Sequence, residues 1–174
     1  MELWLKFQSA EECGLASEIW NKNLKEYRHQ LEGLKNELST KVFDFFWSES
    51  LHDGNLLSFT VINENSVKIK DNSDYRVNGK KKKPLNVQIQ VLNNQYIYTL
   101  LYRQVEGISI HSSVEEELFA GYFKDFGDWG YHELTKGDSS LLCHEILFST
   151  GTNIKIEFSK LNVSKKVFIR NYNE

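Results

Sequence analysis

Histidine and carboxylate side chains stand next to each other at three places in the chain. Two His-Glu pairs lie within "YHELTKGDSSLLCHEILF", and a His-Asp pair lies in "LHDG" upstream. Imidazole and carboxylate groups bind zinc and related metals, and they also form acid–base pairs for hydrolysis. A metal-binding or hydrolytic enzyme would draw on these residues. They are His52, Asp53, His132, Glu133, His144 and Glu145.

The two His-Glu pairs fall in segments whose pattern is typical of β-strands. Successive strand residues point to opposite faces, so the histidine and the glutamate of each pair face apart. A site would need one member from each strand, such as His132 with His144, and a third ligand from His52 or Asp53. The helical H-E-x-x-H spacing, which places two histidines on one face, is absent. We therefore predict cross-strand packing and hydrogen bonding for these side chains, with no metal or cofactor.

The "LHDG" segment has two interpretations. Asp-Gly is a strong turn signal, because an aspartate carboxylate accepts backbone N–H bonds and glycine adopts positive φ. In the structural interpretation, Asp53 closes the turn, Gly54 takes positive φ and His52 satisfies buried backbone groups. In the functional interpretation, His52 is a general base held by a carboxylate. The turn signal favours the structural interpretation.

Nucleophilic catalysis has little support in the sequence. The G-x-S-x-G elbow and the phosphate-binding loop G-x-x-x-x-G-K-[ST] are both absent. Cys143 lies in an apolar strand segment, where burial raises a thiol's pKa and removes the reactive thiolate. Cys13 and Cys143 have no metal-binding spacing and are predicted to be free thiols in a reducing compartment.

A run of four lysines follows the hairpin dipeptide Asn78-Gly79 in "VNGKKKKPLNV". Lys80, Lys81, Lys82 and Lys83 could contact phosphates or an acidic protein. They could equally form a solvated loop that protects a sheet edge from pairing. Aromatic residues do not alternate with these lysines, so a stacking platform for single-stranded nucleic acid is not expected.

The segment "DFGDWGY" places Phe126 and Trp129 between glycines and acidic residues. Aromatic side chains carry a large share of binding energy at protein interfaces, so this loop is a candidate recognition surface. The alternative is that Trp129 packs in the core. The sequence leaves both open.

Composition and charge narrow the range of functions. The chain has 174 residues, 40% hydrophobic residues and a formal net charge of -3, with a pI of about 6.0. This length fits a single domain spanning residues 1–174. The balanced charge does not suit a general nucleic-acid binder. The sequence has no signal-peptide pattern and no apolar run of membrane-spanning length, so we predict a cytoplasmic protein.

The predicted fold class is α+β, with a long N-terminal amphipathic helix packed on a curved, mainly antiparallel sheet. An apolar stripe at steps of three and four predicts the helix, and a capping box at Ser9 and Glu12 predicts its start. A short buried helix should begin near Ser39, and another helix should lie in "SSVEEELFAGYF". A first strand is predicted at residues 1–7, and the remaining segments are closely spaced strands. The stripe contains Trp20, Leu24, Tyr27, Leu31, Leu34 and Leu38.

The chain resembles a group of small bacterial proteins of unknown function. The resemblance lies in the aromatic N-terminal segment (Trp4, Trp20, Tyr27), in "LHDG", and in "WGYHEL…LLCHEILFSTGTNIKIEF". Some members of the group are similar to immunity proteins, which neutralise a toxin by binding it. The resemblance implies a bacterial, cytoplasmic α+β protein that works by binding, and it carries over no catalytic residues.

The leading hypothesis is a non-enzymatic protein that binds another protein, as an immunity-like inhibitor of a toxin does. Its predicted binding residues are Lys80–Lys83, Phe126 and Trp129. The first alternative is the metal-binding or hydrolytic enzyme described above. The second is a small-molecule binder that uses a pocket between the long helix and the sheet.

Overall fold

The computed structural model describes residues 13–63, 84–112, 126–137 and 140–168, with side chains described from Glu18 onward. This part of the chain contains two helices and six strands. The helices are α1 (Cys13–Gly33) and α2 (Thr40–Ser48), and the strands are β1 (Gly54–Ile62), β2 (Leu85–Asn93), β3 (Tyr96–His111), β4 (Asp128–Lys136), β5 (Leu142–Phe148) and β6 (Asn153–Val167). The predicted strand at residues 1–7, the capping box at Ser9 and Glu12, and the predicted helix after Ser112 lie outside the described residues.

The six strands form one antiparallel sheet, which confirms the α+β class. Their order is β1-β2-β3-β6-β5-β4, and the sheet closes into a barrel. The closing contact between β1 and β4 is short, because only Gly54 with Trp129 and Asn55 with Asp128 are paired. This closure pairs two strands that are distant in sequence. The alternation of apolar residues within a strand specifies which face is buried, but it does not specify which strands pair.

Alternate residues of the strands fill the barrel interior, as period-2 patterning requires. On the neighbouring strands β2, β3 and β6, eight residues that point inward have no exposed surface. These residues are Val87, Ile89, Val91, Leu100, Tyr102, Ile154, Ile156 and Phe158. The interior is therefore a packed core rather than an open channel.

Helix α1 covers the edge of β4 that β1 leaves unpaired. Beyond Trp129, no described strand pairs with this edge. The backbone N–H of Leu134 instead donates a hydrogen bond to the Tyr27 hydroxyl at 3.3 Å. The rings of Trp20 and Tyr131 also meet edge-to-face, with centroids 5.4 Å apart. Among the described residues, helix α1 is therefore the element that lies along this edge, which we call the seam.

Helix α1 ends earlier than the apolar stripe predicted. It stops at Gly33, and Leu34 and Leu38 lie beyond it. The next residues form tight turns, in which the Leu34 N–H donates to the Leu31 carbonyl and the Glu37 N–H donates to the Leu34 carbonyl. Glycine lowers helix stability by about 1 kcal/mol relative to alanine, and here the helix ends at that residue.

Helix α2 begins where the sequence predicted, directly after Ser39. The Ser39 hydroxyl accepts a hydrogen bond from the Val42 N–H at 3.4 Å, which is the N-cap arrangement. The helix buries Val42, Phe43, Phe45 and Phe46. The described helices include none that is long and apolar enough to span a membrane.

Candidate functional site

His132 and His144 both point into the barrel and contact each other. In the β4–β5 register, His132 lies opposite Ile146 and Leu134 lies opposite His144, so the two histidines are diagonal neighbours on one face. The Nδ1 atom of His132 is 3.0 Å from the Nε2 atom of His144. This confirms the prediction that the histidines make cross-strand contacts. Glu133 and Glu145 lie opposite each other on the other face.

Tyr102 adds a third member to this pair. Its hydroxyl lies 2.6 Å from the Nδ1 atom of His144, and both side chains are completely buried. We call Tyr102, His144 and His132 the histidine relay. Sequence reasoning did not identify Tyr102. Its only signal was its place in the alternation of "YIYTLLY", which puts it on the same face as Tyr98 and Leu100.

The hydrogen bonds of the relay can run in either of two directions, and one of them is favoured. If the Tyr102 hydroxyl donates to His144 Nδ1, then His144 Nε2–H donates to His132 Nδ1, and every buried proton has an acceptor. In the opposite direction, the Tyr102 hydroxyl proton would have no acceptor among the described residues. An unsatisfied buried donor costs about 1–3 kcal/mol. The favoured arrangement therefore leaves His132 with its proton on Nε2.

Both histidines are neutral at pH 7. Burial lowers the pKa of His132 to about 4. Burial also lowers the pKa of His144, and the nearby charge of a protonated His132 would lower it further. Burial raises the pKa of Tyr102, so its hydroxyl keeps its proton. The relay is thus an uncharged chain of hydrogen bonds.

Aromatic rings enclose the two imidazoles. Phe46 of α2 meets the His144 ring edge-on at 5.0 Å and lies 5.3 Å from the His132 ring. Phe45 lies 5.8 Å from His132 on the same side. Trp129 contributes an edge-to-face contact with His132 at 5.5 Å. This apolar surrounding is the physical cause of the lowered histidine pKa values.

Trp129 is therefore a core residue, and its predicted role as an exposed binding residue is wrong. Its side chain is completely buried. Gly130 is an extra residue in β4, since Trp129 pairs with Phe148 and Tyr131 pairs with Leu147. Such a bulge shifts the alternation by one residue. Trp129 and His132 consequently both point inward, although three positions separate them.

An open cleft of about 460 Å³ lies at the seam, between α1, α2 with its following loop, and β4. We call it the seam cleft. Its walls include Trp20 and Tyr27 of α1, Trp47 of α2 and Tyr131 of β4, and His132 lines it from the barrel side. Because His132 Nδ1 is bonded to His144, Nε2–H is the polar group that His132 can present to this cleft.

Two charged residues also line the seam cleft. The guanidinium of Arg28 lies over the Trp47 ring, 5.5 Å from its centroid. The carboxylate of Glu49 accepts hydrogen bonds from Lys165 and from the Tyr98 hydroxyl, each at 2.8 Å. The bond from Lys165 is the main cause that lowers the pKa of Glu49. The charge of Glu49 is thus offset by a neighbouring cation.

His52 belongs to the cleft lining, and Asp53 contacts His52 from outside the lining. The ring of His52 lies 5.3 Å from that of Tyr131. Its Nδ1 atom is 2.9 Å from the Asp53 carboxylate, with 47% of the His52 side chain exposed. The predicted role of His52 in satisfying buried backbone groups is wrong. The Asn93 amide instead donates to the carbonyls of Ser50 and His52.

Asp53, rather than Gly54, adopts the positive φ in this turn, with φ of 62°. Gly54 is needed for close packing instead. A Cβ atom at this position would lie 2.7 Å from the Leu51 carbonyl oxygen and 2.8 Å from a methyl of Val91. The turn therefore brings His52 to the cleft by packing tightly onto β2.

The described residues form no metal site, and the His52–Asp53 contact is the one His–carboxylate pair among them that lies at the cleft. They contain no group of three or more His, Cys, Asp or Glu side chains that could hold a metal ion. The cleft's two serines are engaged with the backbone, since the Ser48 hydroxyl donates to the Asp44 carbonyl and the Ser50 hydroxyl accepts from the His52 N–H. Within this part of the chain, neither hydroxyl bonds to an imidazole.

The remaining predicted residues lie elsewhere. Lys80–Lys83 fall outside the described residues. Phe126 is half-buried and packs 5.4 Å from the Phe148 ring. Cys143 is a buried free thiol, and burial raises its pKa to about 11, as predicted for an unreactive cysteine. The side chain of Cys13 is not among those described.

Comparison with known proteins identifies no relative. No protein-family model, curated protein or solved structure matches this chain. The function is therefore inferred from the seam cleft and the histidine relay alone.

Proposed function

We propose that the protein binds a small organic molecule in the seam cleft. The observation that carries the proposal is that His132 lines a cleft with aromatic walls. In the favoured direction of the relay, the polar group that His132 offers there is a neutral Nε2–H. Ligand pockets are typically concave, roughly 300–1,000 Å³ in volume, and mostly apolar with a few placed polar groups. The seam cleft has this size, and its lining combines aromatic side chains with polar and charged ones.

The relay supports recognition rather than catalysis. A general base needs an unprotonated nitrogen facing the substrate. In the favoured hydrogen-bond direction, the unprotonated nitrogen of each imidazole accepts a hydrogen bond from another member of the relay. His132 is thus a fixed donor, and its direction is set by Tyr102 two bonds away. A donor oriented in this way favours a ligand that carries an acceptor.

Protein binding remains a second, untested prediction. Of the predicted contact residues, Trp129 is buried and Lys80–Lys83 lie outside the described residues. An immunity-like role, a bacterial origin and a cytoplasmic location depend on the sequence resemblance alone. A described cavity supports the small-molecule proposal.

A fragment screen followed by NMR tests the proposal. We expect planar fragments that carry a hydrogen-bond acceptor to shift the indole N–H signals of Trp20 and Trp47, which line the cleft, and not that of buried Trp129. Trp47→Ala should weaken binding, because it removes one aromatic wall. Leu57→Ala is the matched control, since Leu57 is an exposed apolar residue of β1 that does not line the cleft.

The proposal fails if no fragment shifts the Trp20 or Trp47 signals at millimolar concentration. It also fails if bound fragments shift these signals equally in the wild-type protein and in a His132→Leu variant that remains folded. In that case, binding would be nonspecific contact with exposed aromatic rings.

A further inference from the structure

We infer that the ligand of the seam cleft is a planar aromatic carboxylate, with its acid on Arg28 and a ring or carbonyl acceptor on His132. This inference rests on the proposed function, because it names the ligand class for the same cleft. It follows from three features of the cleft: the balance of charge, the aromatic walls and the His132 donor.

The unbalanced charge that lines the cleft is positive. Glu49 is offset by Lys165, at 2.8 Å. Among the described residues, by contrast, no ion pair includes Arg28. Arg28 instead lies over the Trp47 ring. This contact holds the side chain at the cleft and leaves the guanidinium N–H groups available. A guanidinium binds a carboxylate through two parallel hydrogen bonds, which makes it selective for planar acids.

The walls of the cleft favour a flat ring. Trp20, Tyr27, Trp47 and Tyr131 come from three different elements and line one cavity. Aromatic rings stack or meet edge-to-face with a planar ligand and contribute about 0.5–1.5 kcal/mol per contact beyond burial. A saturated ring of equal size presents no such face. The walls therefore discriminate by shape as well as by hydrophobicity.

At His132, the cleft favours a ligand group that accepts a hydrogen bond and carries no charge. His132 offers one N–H, and its pKa of about 4 keeps it neutral at pH 7. A carboxylate buried against this neutral donor and the surrounding phenyl rings would lose most of its hydration. The acid group is therefore expected at Arg28, which is exposed, and the neutral acceptor at His132.

Calorimetric titration with four related compounds tests the inference. Quinoline-4-carboxylate has the ring, the nitrogen acceptor and the acid. Its amide lacks the charge, naphthalene-1-carboxylate lacks the acceptor, and cyclohexanecarboxylate lacks both the acceptor and the planar ring. We expect quinoline-4-carboxylate to bind most tightly, the amide and naphthalene-1-carboxylate to bind about tenfold more weakly, and cyclohexanecarboxylate to bind more weakly than naphthalene-1-carboxylate. This tenfold factor corresponds to one charged or buried hydrogen bond.

Arg28→Gln should weaken binding of quinoline-4-carboxylate about tenfold and leave binding of its amide unchanged. Arg103→Gln is the matched control, because Arg103 is an exposed arginine of β3 outside the cleft. It should leave both affinities unchanged. Binding of the acid should also weaken as salt is raised, since exposed charges are screened.

The possible results separate the inference from the proposed function. If the acid and the amide bind equally, or if Arg28→Gln affects both alike, the carboxylate inference is wrong and the cleft remains a binding site. If a quinoline-4-methylammonium compound binds more tightly than the acid, the inferred sign of the charge is wrong. If none of these compounds and none of the screened fragments binds, the proposed function fails as well.

Discussion

Phe46→Ala is expected to lower the free energy of unfolding by about 3–5 kcal/mol. Phe46 is a buried residue of α2 that contacts the rings of Phe45, His132 and His144. Its truncation removes apolar burial and leaves a cavity beside two buried imidazoles, a combination that costs this much in protein cores. Urea denaturation of the variant and the wild-type protein measures the difference.

Trp47→Ala is the matched control on the same helix. Trp47 follows Phe46 directly, but 37% of it is exposed, and it stacks on Phe43 from the outside. We expect its truncation to cost several-fold less. Equal losses for the two variants would contradict the inward placement of Phe46 and, with it, the apolar enclosure of the histidine relay.

Acidification from pH 6.5 to pH 4 is expected to destabilise the protein by several kcal/mol. His132 and His144 both have folded-state pKa values below the unfolded value of about 6.5. Between pH 6.5 and pH 4, the unfolded chain therefore binds protons that the folded chain does not bind. The stabilisation that the neutral histidines contribute is complete above pH 6.5 and is lost as the pH falls. Each histidine contributes a slope of up to about 1.4 kcal/mol per pH unit, and His132 contributes roughly 3 kcal/mol down to pH 4.

Equilibrium unfolding at several pH values measures this loss, and an apolar version of the relay is its control. The variant combines Tyr102→Phe, His144→Leu and His132→Leu, so that all three hydrogen-bonding partners are removed together. Its stability should depend much less on pH between 6.5 and 4. If the variant does not fold, titration of the wild-type histidine ring signals serves instead. Protonation of both relay histidines near pH 6.5 would contradict the prediction.

Strand alternation made part of this site predictable. The sequence placed His144 on one face with Leu142, Ile146 and Phe148, and the structure buries all four inside the barrel. The same alternation separated each histidine from its neighbouring glutamate. This part succeeded because the direction of a side chain in a strand depends only on local geometry.

Other features depended on contacts between distant segments and could not be predicted from local patterns. Tyr102 joins the relay across the barrel, from a strand that does not neighbour β4 or β5. The bulge at Gly130 lets the Trp129 side chain point into the core, although the sequence of the "DWG" segment resembled an exposed loop. The seam cleft exists because β1 leaves β4 after two residue pairs and α1 takes its place. Local propensity carries no information about where a strand stops pairing.

The turn at "LHDG" shows the limit of residue-based rules. Glycine tolerates positive φ best, and so Gly54 was the expected site. Gly54 is instead required because it has no Cβ, which lets the backbone pack closely against Leu51 and Val91. Asp53 takes the positive φ. Aspartate is among the few other residues that tolerate this conformation. The packing of the turn onto β2 decided between two adjacent candidates.

The proposed function depends on one physical state: at pH 7, His132 is neutral and its proton is on Nε2, facing the seam cleft. Two-bond ¹H–¹⁵N correlation spectra of the histidine rings measure this state directly. We predict that His132 and His144 are both neutral with the proton on Nε2, and that a bound ligand shifts the Nε2 signal of His132 more than that of His144. A cationic His132, or a His132 with its proton on Nδ1, would contradict the relay and the recognition role assigned to it.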